Sequence, residues 1–96
     1  MIIRVYRAIV HEGKREEFEH IFLENALPHL RQQPGLISAT PGLPLESSPN
    51  EFLMVMLWQD LDSIKRFAGE NWQQARIDPD ETHLLKETFV YHYEAI

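Results

Sequence analysis

The sequence contains no cysteine among its 96 residues, and this absence excludes several kinds of chemistry. Disulfide cross-links, thiolate zinc sites, iron–sulfur clusters and a cysteine nucleophile all require a thiol. Glycine is also scarce, and its 4 copies are too scattered to form a phosphate-binding loop or a dinucleotide fingerprint. The 5 histidines show no spacing typical of metal ligands. The sequence therefore predicts no metal and no other cofactor.

Positive charge is in the minority, with 9 Lys and Arg against 15 Asp and Glu and a formal net charge of −6 at pH 7. This balance disfavours a phosphate backbone or an anionic lipid surface, so we expect neither nucleic acid nor a membrane as a partner. No run approaches the roughly 20 apolar residues that a membrane-spanning helix needs. Arg4 and Arg7 interrupt the apolar N-terminal segment, which is unlike a signal peptide. We therefore expect a cytoplasmic protein.

Hydrophobic patterning predicts one domain over residues 1–96 with the element order β-α-β-β-α-β. The predicted strands are Ile2 to Val10, Leu36 to Leu45, Phe52 to Trp58 and about Glu87 to Ala95, and the helices end near Gln32 and Gly69. Pro41 and Pro44 push the second strand to an edge or into a bulge. Pro28 predicts a kink in the first helix, and Asp60 is a good N-cap for the second. Asp80 or Thr82 could cap a short turn before the last strand. This order is typical of a ferredoxin-like α+β fold, an antiparallel sheet with helices on one face and strands one and three at the centre.

The segment from Glu51 to Trp72 predicts a partner as well as a fold. Its strand is apolar on both faces and runs directly into an amphipathic helix. A chain of this size has helices for only one face of the sheet, so we expect a homodimer formed through the other face. The space between the sheet and its own helices is then the expected cavity for a small apolar or aromatic ligand. Trp58, at the end of the strand, is assigned to the core.

Three polar residues are candidates for catalysis. Arg7 alternates in phase with the apolar residues that we assign to the helix-covered face, where a cation needs an anionic or carbonyl partner. The alternative is an arginine that reaches solvent or pairs with an acidic residue such as Glu94. Asn25 and His29 lie four residues apart within the apolar arc of the first helix, where His29 could accept a proton. Alternatively, they satisfy backbone groups that Pro28 leaves free.

The candidates for substrate binding are mainly aromatic. Trp72 lies where the second helix gives way to polar residues and is the aromatic side chain that we most expect to contact a ligand. Phe22 belongs to the apolar helix face that walls the predicted cavity. Tyr91 could stack on a flat substrate, while the ordinary interpretation of such strand aromatics is core. His92 is on the last strand, where a half-exposed surface position is the alternative, and His83 lies in a loop that could gate the cavity.

Several local features together resemble the antibiotic biosynthesis monooxygenase family over essentially the whole chain. They are Pro34-Gly35-Leu36, the strand that ends at Trp58 with Asp60 after it, Phe67-Ala68-Gly69, and Val90-Tyr91-His92-Tyr93. The resemblance implies a dimeric α+β barrel with a substrate cavity between each sheet and its helices. It also implies one of several chemistries, including cofactor-free oxygenation of aromatic compounds or quinols and haem degradation, and a fold alone does not decide among these.

The first functional hypothesis is a cofactor-independent monooxygenase acting on a small aromatic or quinol-type substrate. His29 would be the base, and Arg7 and Asn25 would stabilise the resulting anion. The alternative is a non-catalytic dimeric module that binds a small ligand or assists a neighbouring enzyme.

Haem degradation is less favoured. Relatives with that activity have an Asn on the first strand, a Trp on the second helix and an axial His beyond it. The corresponding positions here hold Tyr6-Arg7, Phe67 and the His-free segment from Ala75 to Asp78.

Overall fold

The sheet has the predicted ferredoxin-like arrangement. In the computed structural model, which describes residues 1–96, the strands are β1 (Ile2–Val10), β2 (Leu36–Gly42), β3 (Glu51–Trp58) and β4 (Leu85–Glu94). They form one antiparallel sheet in the order β2-β3-β1-β4. The two most apolar strands are central, and the proline-containing β2 lies at an edge, where missing N–H donors cost least. The predicted α+β fold is confirmed.

The first helix is continuous but changes its hydrogen-bonding pattern near its middle. It consists of α1 (Arg15–Ile21), a π-helical turn (Phe22–Ala26) and α2 (Leu27–Arg31). The Leu27 N–H donates to the Phe22 carbonyl, five residues earlier. Pro28 has no N–H to continue the ordinary ladder, and a π turn just before it accommodates that loss. The irregularity predicted at Pro28 therefore takes the form of a π turn.

The second helix, α3 (Leu61–Ala68), begins as the sequence predicts. The Asp60 carboxylate accepts hydrogen bonds from the Ser63 N–H at 2.8 Å and the Ser63 hydroxyl at 2.7 Å, and these bonds lower the pKa of Asp60. Gly35 lies against the same Ser63 with φ of 89°, and a Cβ there would overlap the Ser63 side chain. Glycine is thus required where the turn before β2 meets α3.

The chain between α3 and β4 forms an irregular loop and then a 3₁₀ helix, Pro79–Leu84. Its N-cap is Asp78, so the expectation of Asp80 or Thr82 as the capping residue is wrong. The Asp78-Pro79 pair starts the helix because proline is tolerated in its first turn, where its missing N–H is not needed. No helix of the chain is long and apolar enough to cross a bilayer.

The core lies on one side of the sheet, against the helices. On β3 the side chains alternate between a buried set and a set on the opposite, open face of the sheet. The buried set is Phe52, Met54, Met56 and Trp58, and the open set includes Leu53, Val55 and Leu57. Trp58 is fully buried, which confirms its assignment to the core. Both faces of this strand are apolar, as predicted, and nothing in this chain covers the open one.

The face assignment of β1 is corrected by its pairing with β3. Arg4 pairs with Met56, whose side chain is buried under the helices, whereas Arg7 pairs with Leu53 on the open face. The expectation that Arg7 faces the helices is therefore wrong, because the two faces of β1 are exchanged relative to the prediction. Both residue sets of β1 are apolar apart from their arginines, so alternation alone could not distinguish the two faces.

Candidate functional site

A cavity of about 270 Å³ lies between the helix-covered face of the sheet and the first helix. Its apolar walls come from β3 and the first helix, through Met54, Met56, Phe18 and Phe22, and Phe67 of α3 contributes from the side. Its polar lining residues include Arg4, Tyr6, Asn25, His29 and Glu81. This volume is near the lower limit of typical ligand pockets, about 300 Å³, so the cavity fits a small ligand.

Arg4 is the central charged group of the cavity and is only 2% exposed. Its Nη1 donates to the Trp72 carbonyl at 2.6 Å, and its Nη2 donates to the Gln74 carbonyl at 3.2 Å. No carboxylate forms an ion pair with it. Burial lowers the pKa of Arg4 to about 10, so it remains charged at neutral pH. The cavity wall thus carries a buried positive charge that only carbonyl dipoles and a neutral ring offset.

His92 supports this arginine from the adjacent strand. Its Nε2 lies 2.9 Å from Arg4 Nη1. Burial, together with the charge of Arg4, lowers the pKa of His92, so the neutral ring accepts a hydrogen bond from the guanidinium. These contacts leave the Nε–H and one Nη2–H of Arg4 available, because the guanidinium carries about five donors. A ligand oxygen in the cavity can accept hydrogen bonds from these two N–H groups.

Glu81 is the second buried ionisable group of the cavity and is 6% exposed. Its Oε1 accepts a long hydrogen bond of 3.4 Å from the Asp78 N–H, which completes a capping box at the start of the 3₁₀ helix. Burial raises the pKa of Glu81, and the nearby charges of Asp78 and Asp80 add to that effect, while the Asp78 N–H and Arg76 oppose it. A carboxyl group with a raised pKa is a stronger proton acceptor, once ionised, than an ordinary one.

Tyr6 places a phenol in the same wall, on β1 two residues from Arg4. Burial, with a further contribution from the negative charge of Glu81, raises the pKa of Tyr6 well above its ordinary value. Its hydroxyl therefore stays protonated and can only donate or accept a hydrogen bond. The wall thus presents a cation, a titratable carboxyl group and a neutral hydroxyl.

Three of the predicted site residues do line this cavity. Phe22 is buried and contributes an apolar wall, while Asn25 and His29 are exposed residues at its edge on the first helix. The side chain of Gln33 lies 3.4 Å from the Nε2 of His29. The sequence-based expectation that Asn25 and His29 share a face beside a cavity agrees with this placement. Their predicted roles in catalysis stay predictions.

Two other predicted residues lie on the open face. Arg7 donates to both carboxylate oxygens of Glu51, at 2.9 and 3.0 Å, and its guanidinium lies 5.0 Å from the Phe89 ring centroid. This hydrogen-bonded contact raises the pKa of Arg7 and lowers the pKa of Glu51. Tyr91 stacks on Phe89 with their ring centroids 6.5 Å apart. Neither Arg7 nor Tyr91 reaches the cavity of its own chain.

The remaining predicted residues surround the site without lining it. Trp72 contributes its carbonyl to Arg4, while its ring packs edge-on against His92 at 5.0 Å. His92 lies behind Arg4 and supports it. His83 is exposed and pairs with Glu17 of α1 at 3.0 Å, which connects the 3₁₀ helix to the first helix. Trp72 and His92 thus contact the polar wall from outside, through Arg4, whereas His83 contacts the first helix.

Sequence reasoning missed Arg4, Tyr6 and Glu81 as lining residues. Because Arg7 was placed on the helix-covered face, the alternation of β1 put Arg4 and Tyr6 on the opposite face. Glu81 was passed over in an acidic turn, although its spacing from Asp78 is the capping-box signature that folds such a carboxyl group back onto the chain. That signature was the one available signal, and it predicts the position of the side chain without predicting the cavity.

The sheet order, the helices on one face and the cavity between them define a ferredoxin-like α+β domain with an internal ligand-sized site. The family model for antibiotic biosynthesis monooxygenases matches residues 1–84, and the chain belongs to this family. No curated protein matches the chain significantly in sequence.

Solved structures with the same fold include three informative cases. SnoaB, a cofactor-independent oxygenase from Streptomyces nogalater, is 28% identical, with a TM-score of 0.69 over 99% of this chain and 92% of that chain. An antibiotic biosynthesis monooxygenase is 14% identical, with a TM-score of 0.80 over 100% and 99% of the two chains. A variant of MhuD with two manganese protoporphyrin IX molecules bound per active site is 14% identical, with a TM-score of 0.73 over 100% and 95%.

Proposed function

We propose that this protein is a cofactor-independent monooxygenase that oxidises a small aromatic or quinol-type substrate in the cavity between its sheet and helices. The observation that carries the proposal is the buried guanidinium of Arg4, which has no carboxylate partner and lines the cavity together with apolar side chains of the sheet and the first helix. Family membership and the likeness to SnoaB, a cofactor-independent oxygenase, support the reaction class. The role that sequence reasoning gave to Arg7 passes to Arg4.

The cavity chemistry fits a substrate that becomes an anion. A ring can lie between Met54 and Met56 of the sheet and Phe22 of the first helix. When its hydroxyl group loses a proton, the negative oxygen accepts hydrogen bonds from the free N–H groups of Arg4. Such preorganised donors in a water-poor site are worth much more than in water and require no rearrangement during the reaction. Asn25 and His29 contact the exposed end of the substrate.

The reaction balances with molecular oxygen as the sole co-reactant. A quinol and oxygen give a hydroxyquinone and water: one oxygen atom forms a new bond to a ring carbon, and the other leaves as water. The substrate supplies all four electrons that reduce oxygen, so no separate reductant is needed. Deprotonation makes the ring electron-rich enough to donate the first of these electrons. Arg4 assists by stabilising the deprotonated substrate.

We further infer that the working unit is a homodimer formed through the open face of the sheet. This face carries large apolar side chains on three strands, including Val55, Tyr91 and Tyr93, which are 36%, 40% and 55% exposed. Contiguous exposed apolar surface of this kind is typical of protein interfaces. A second copy of the chain presents the same surface and can cover it by two-fold symmetry.

Oxygen consumption tests the proposed function. Protein treated with chelator is incubated with naphthohydroquinone, and oxygen uptake is compared with Arg4→Gln and with a protein-free control. We expect uptake above both, with one atom of isotopically labelled oxygen gas in the product. Uptake no faster than in the protein-free control would contradict catalysis, and uptake equal to that of Arg4→Gln would contradict the role of Arg4. Tight binding of the quinol without uptake would instead indicate a non-catalytic binding module.

A further inference from the structure

We infer that the Glu81 carboxylate is the proton acceptor of this site, so that the substrate enters as a neutral hydroxyaromatic compound and is ionised inside the cavity. The inference rests on the proposed function for the reaction class but assigns a step that can be observed without turnover. In this step the O–H bond of the substrate breaks, the proton passes to Glu81, and the electron pair stays on the substrate oxygen.

The position of Glu81 separates it from the other carboxyl groups near the cavity. It is the buried member of the acidic segment that begins at Asp78, and only its Oε1 has a protein partner, the Asp78 N–H at 3.4 Å. That bond is at the long limit of hydrogen-bond geometry, so the carboxyl group keeps most of its accepting capacity for a ligand. Asp78 also lines the cavity, but its side chain is 56% exposed and lies 4.0 Å from Arg76.

His29, the base that sequence reasoning favoured, is placed less suitably. It lies at the exposed edge of the cavity, beside Gln33, where water competes for any proton that it accepts. Glu81 instead lies in the wall that also holds Tyr6 and the cationic Arg4. A proton that moves from substrate to Glu81 leaves a negative oxygen in a cavity that already contains an unpaired positive charge. The net charge of the cavity is unchanged by the transfer, which keeps its cost low in a medium of low dielectric constant.

The groups that face Glu81 set the pH range of the step. They are Asp78 and Asp80 at the start of its own 3₁₀ helix, the phenol of Tyr6 on β1, and Arg76 in the preceding loop. Burial and the two aspartates raise the pKa of Glu81, while Arg76 and the Asp78 N–H lower it, and the net direction is upward. The proton-accepting carboxylate is therefore lost as the pH falls through this raised pKa. We expect turnover to decline on that acidic side.

Umbelliferone is a suitable probe because its neutral and ionised forms have different absorption spectra. It is bound to the protein without oxygen, at a pH where the free probe is mostly neutral. We expect the wild-type protein to bind it with the spectrum of the anion, and Glu81→Gln to bind it with the neutral spectrum. Asp80→Asn, which removes a charge from the same 3₁₀ helix, should retain the anion spectrum. His29→Gln can bind the probe more weakly, because His29 lines the cavity, but the bound probe should still show the anion spectrum.

A measurement on the wild-type protein avoids dependence on the folding of Glu81→Gln. Carbon NMR of the Glu81 carboxyl group should show its signal move to the protonated position when umbelliferone binds at constant pH. An anion spectrum that persists in Glu81→Gln, a neutral bound probe in the wild type, an unmoved Glu81 signal, or no binding of umbelliferone would each overturn the inference.

Oxygen uptake separates this inference from the proposed function. With naphthohydroquinone as substrate, we expect kcat/KM of Glu81→Gln to fall roughly 100-fold, the lower range for loss of a general base. If the probe is ionised by Glu81 but the wild type consumes no oxygen, the monooxygenase proposal fails and the proton acceptor stands. If oxygen uptake is robust but unchanged in Glu81→Gln, Glu81 is not the base and the reaction class stands.

Discussion

Arg4 and Arg7 lie three residues apart on the same strand and face opposite sides of the sheet. Arg7 on the open face has a carboxylate partner, Glu51, to which it donates two hydrogen bonds in a bidentate pair. Its side chain is 35% exposed. Arg4 on the helix-covered face is 2% exposed and has only carbonyls and a neutral histidine. The better-shielded arginine is thus the one without a counter-charge.

That difference is the one we expect between a structural charge and a functional one. An exposed ion pair is satisfied by its partner and by water, and it contributes little to stability. A buried cation without an anion is costly to maintain, and such sites are found where a ligand supplies the missing charge. The two faces therefore differ in what they present: the covered face holds the cavity with its buried cation, and the open face presents an apolar surface, where we propose that a second subunit packs.

The largest effect that tests this comparison is on stability. Phe52→Ala removes a fully buried ring that contacts Phe18 and Phe22, and we expect the free energy of unfolding to fall by about 3–5 kcal/mol. Leu53→Ala, on the open face, should cost less and in a manner that depends on protein concentration, because Leu53 would contribute through assembly. Chemical denaturation at two protein concentrations measures both. If both variants lost the same free energy of unfolding at both protein concentrations, the proposed distinction between the two faces would be wrong.

Assembly should respond next most strongly. Val55→Lys places a charge at the centre of the open face, opposite Val5 of β1, and burying it against a second copy would cost about 2–5 kcal/mol. We expect the variant to be monomeric where the wild type is dimeric, with Val55→Ile as a matched control that stays dimeric. Sedimentation velocity distinguishes these states. A wild type that remains monomeric at high concentration, or a dimeric Val55→Lys, would contradict this interface.

The two arginines themselves provide the third test. Arg4→Gln keeps hydrogen-bonding capacity but removes the charge, and we expect kcat/KM for oxygen uptake to fall roughly 100-fold, as for loss of one preorganised donor. Arg7→Gln, the same change on the other face, should leave kcat/KM close to that of the wild type when both are assayed in the same oligomeric state. Steady-state kinetics measures both variants. If Arg7→Gln were the impaired one, the assignment of Arg4 to the active cavity would be wrong.

The smallest effect is the contribution of Arg7 to stability. Because the pair is partly exposed, Arg7→Gln should lower the free energy of unfolding by less than about 1 kcal/mol, and added salt should reduce the difference. The Arg7 contact lowers the pKa of Glu51, so its contribution is complete above the unfolded-state pKa and is lost as the pH falls through the lowered one. Thermal unfolding of both proteins between neutral and acidic pH measures this. A difference that grows on acidification would show that another group is responsible.

Much of the fold could be predicted because its signals are local. The N-cap at Asp60, the turn at Pro34-Gly35 and the edge position of the proline-containing β2 each depend on backbone chemistry within a few residues. The order of elements and the central place of β1 and β3 followed from which strands are apolar on both faces. Asn25 and His29 were found because helical spacing alone places them together.

The charged part of the site could not be predicted in the same way. In β1 the alternation is clear, but its two faces are nearly equal in hydrophobicity, and the pairing of Arg4 with Met56 decides which one the helices cover. Glu81 comes to the cavity because a 3₁₀ helix turns it inward beside Tyr6, which is distant in sequence. Both are consequences of long-range packing.

The elements, their order, the apolar open face and the polar pair on the first helix can all be read from the amino-acid sequence, because they depend on local propensity and periodicity. Which arginine is buried, and which carboxyl group shares its cavity, depend on long-range packing. A one-residue change in strand phase exchanges the two faces without altering the pattern of the strand, so register, pairing and desolvation assign Arg4 to the cavity and Arg7 to the open face.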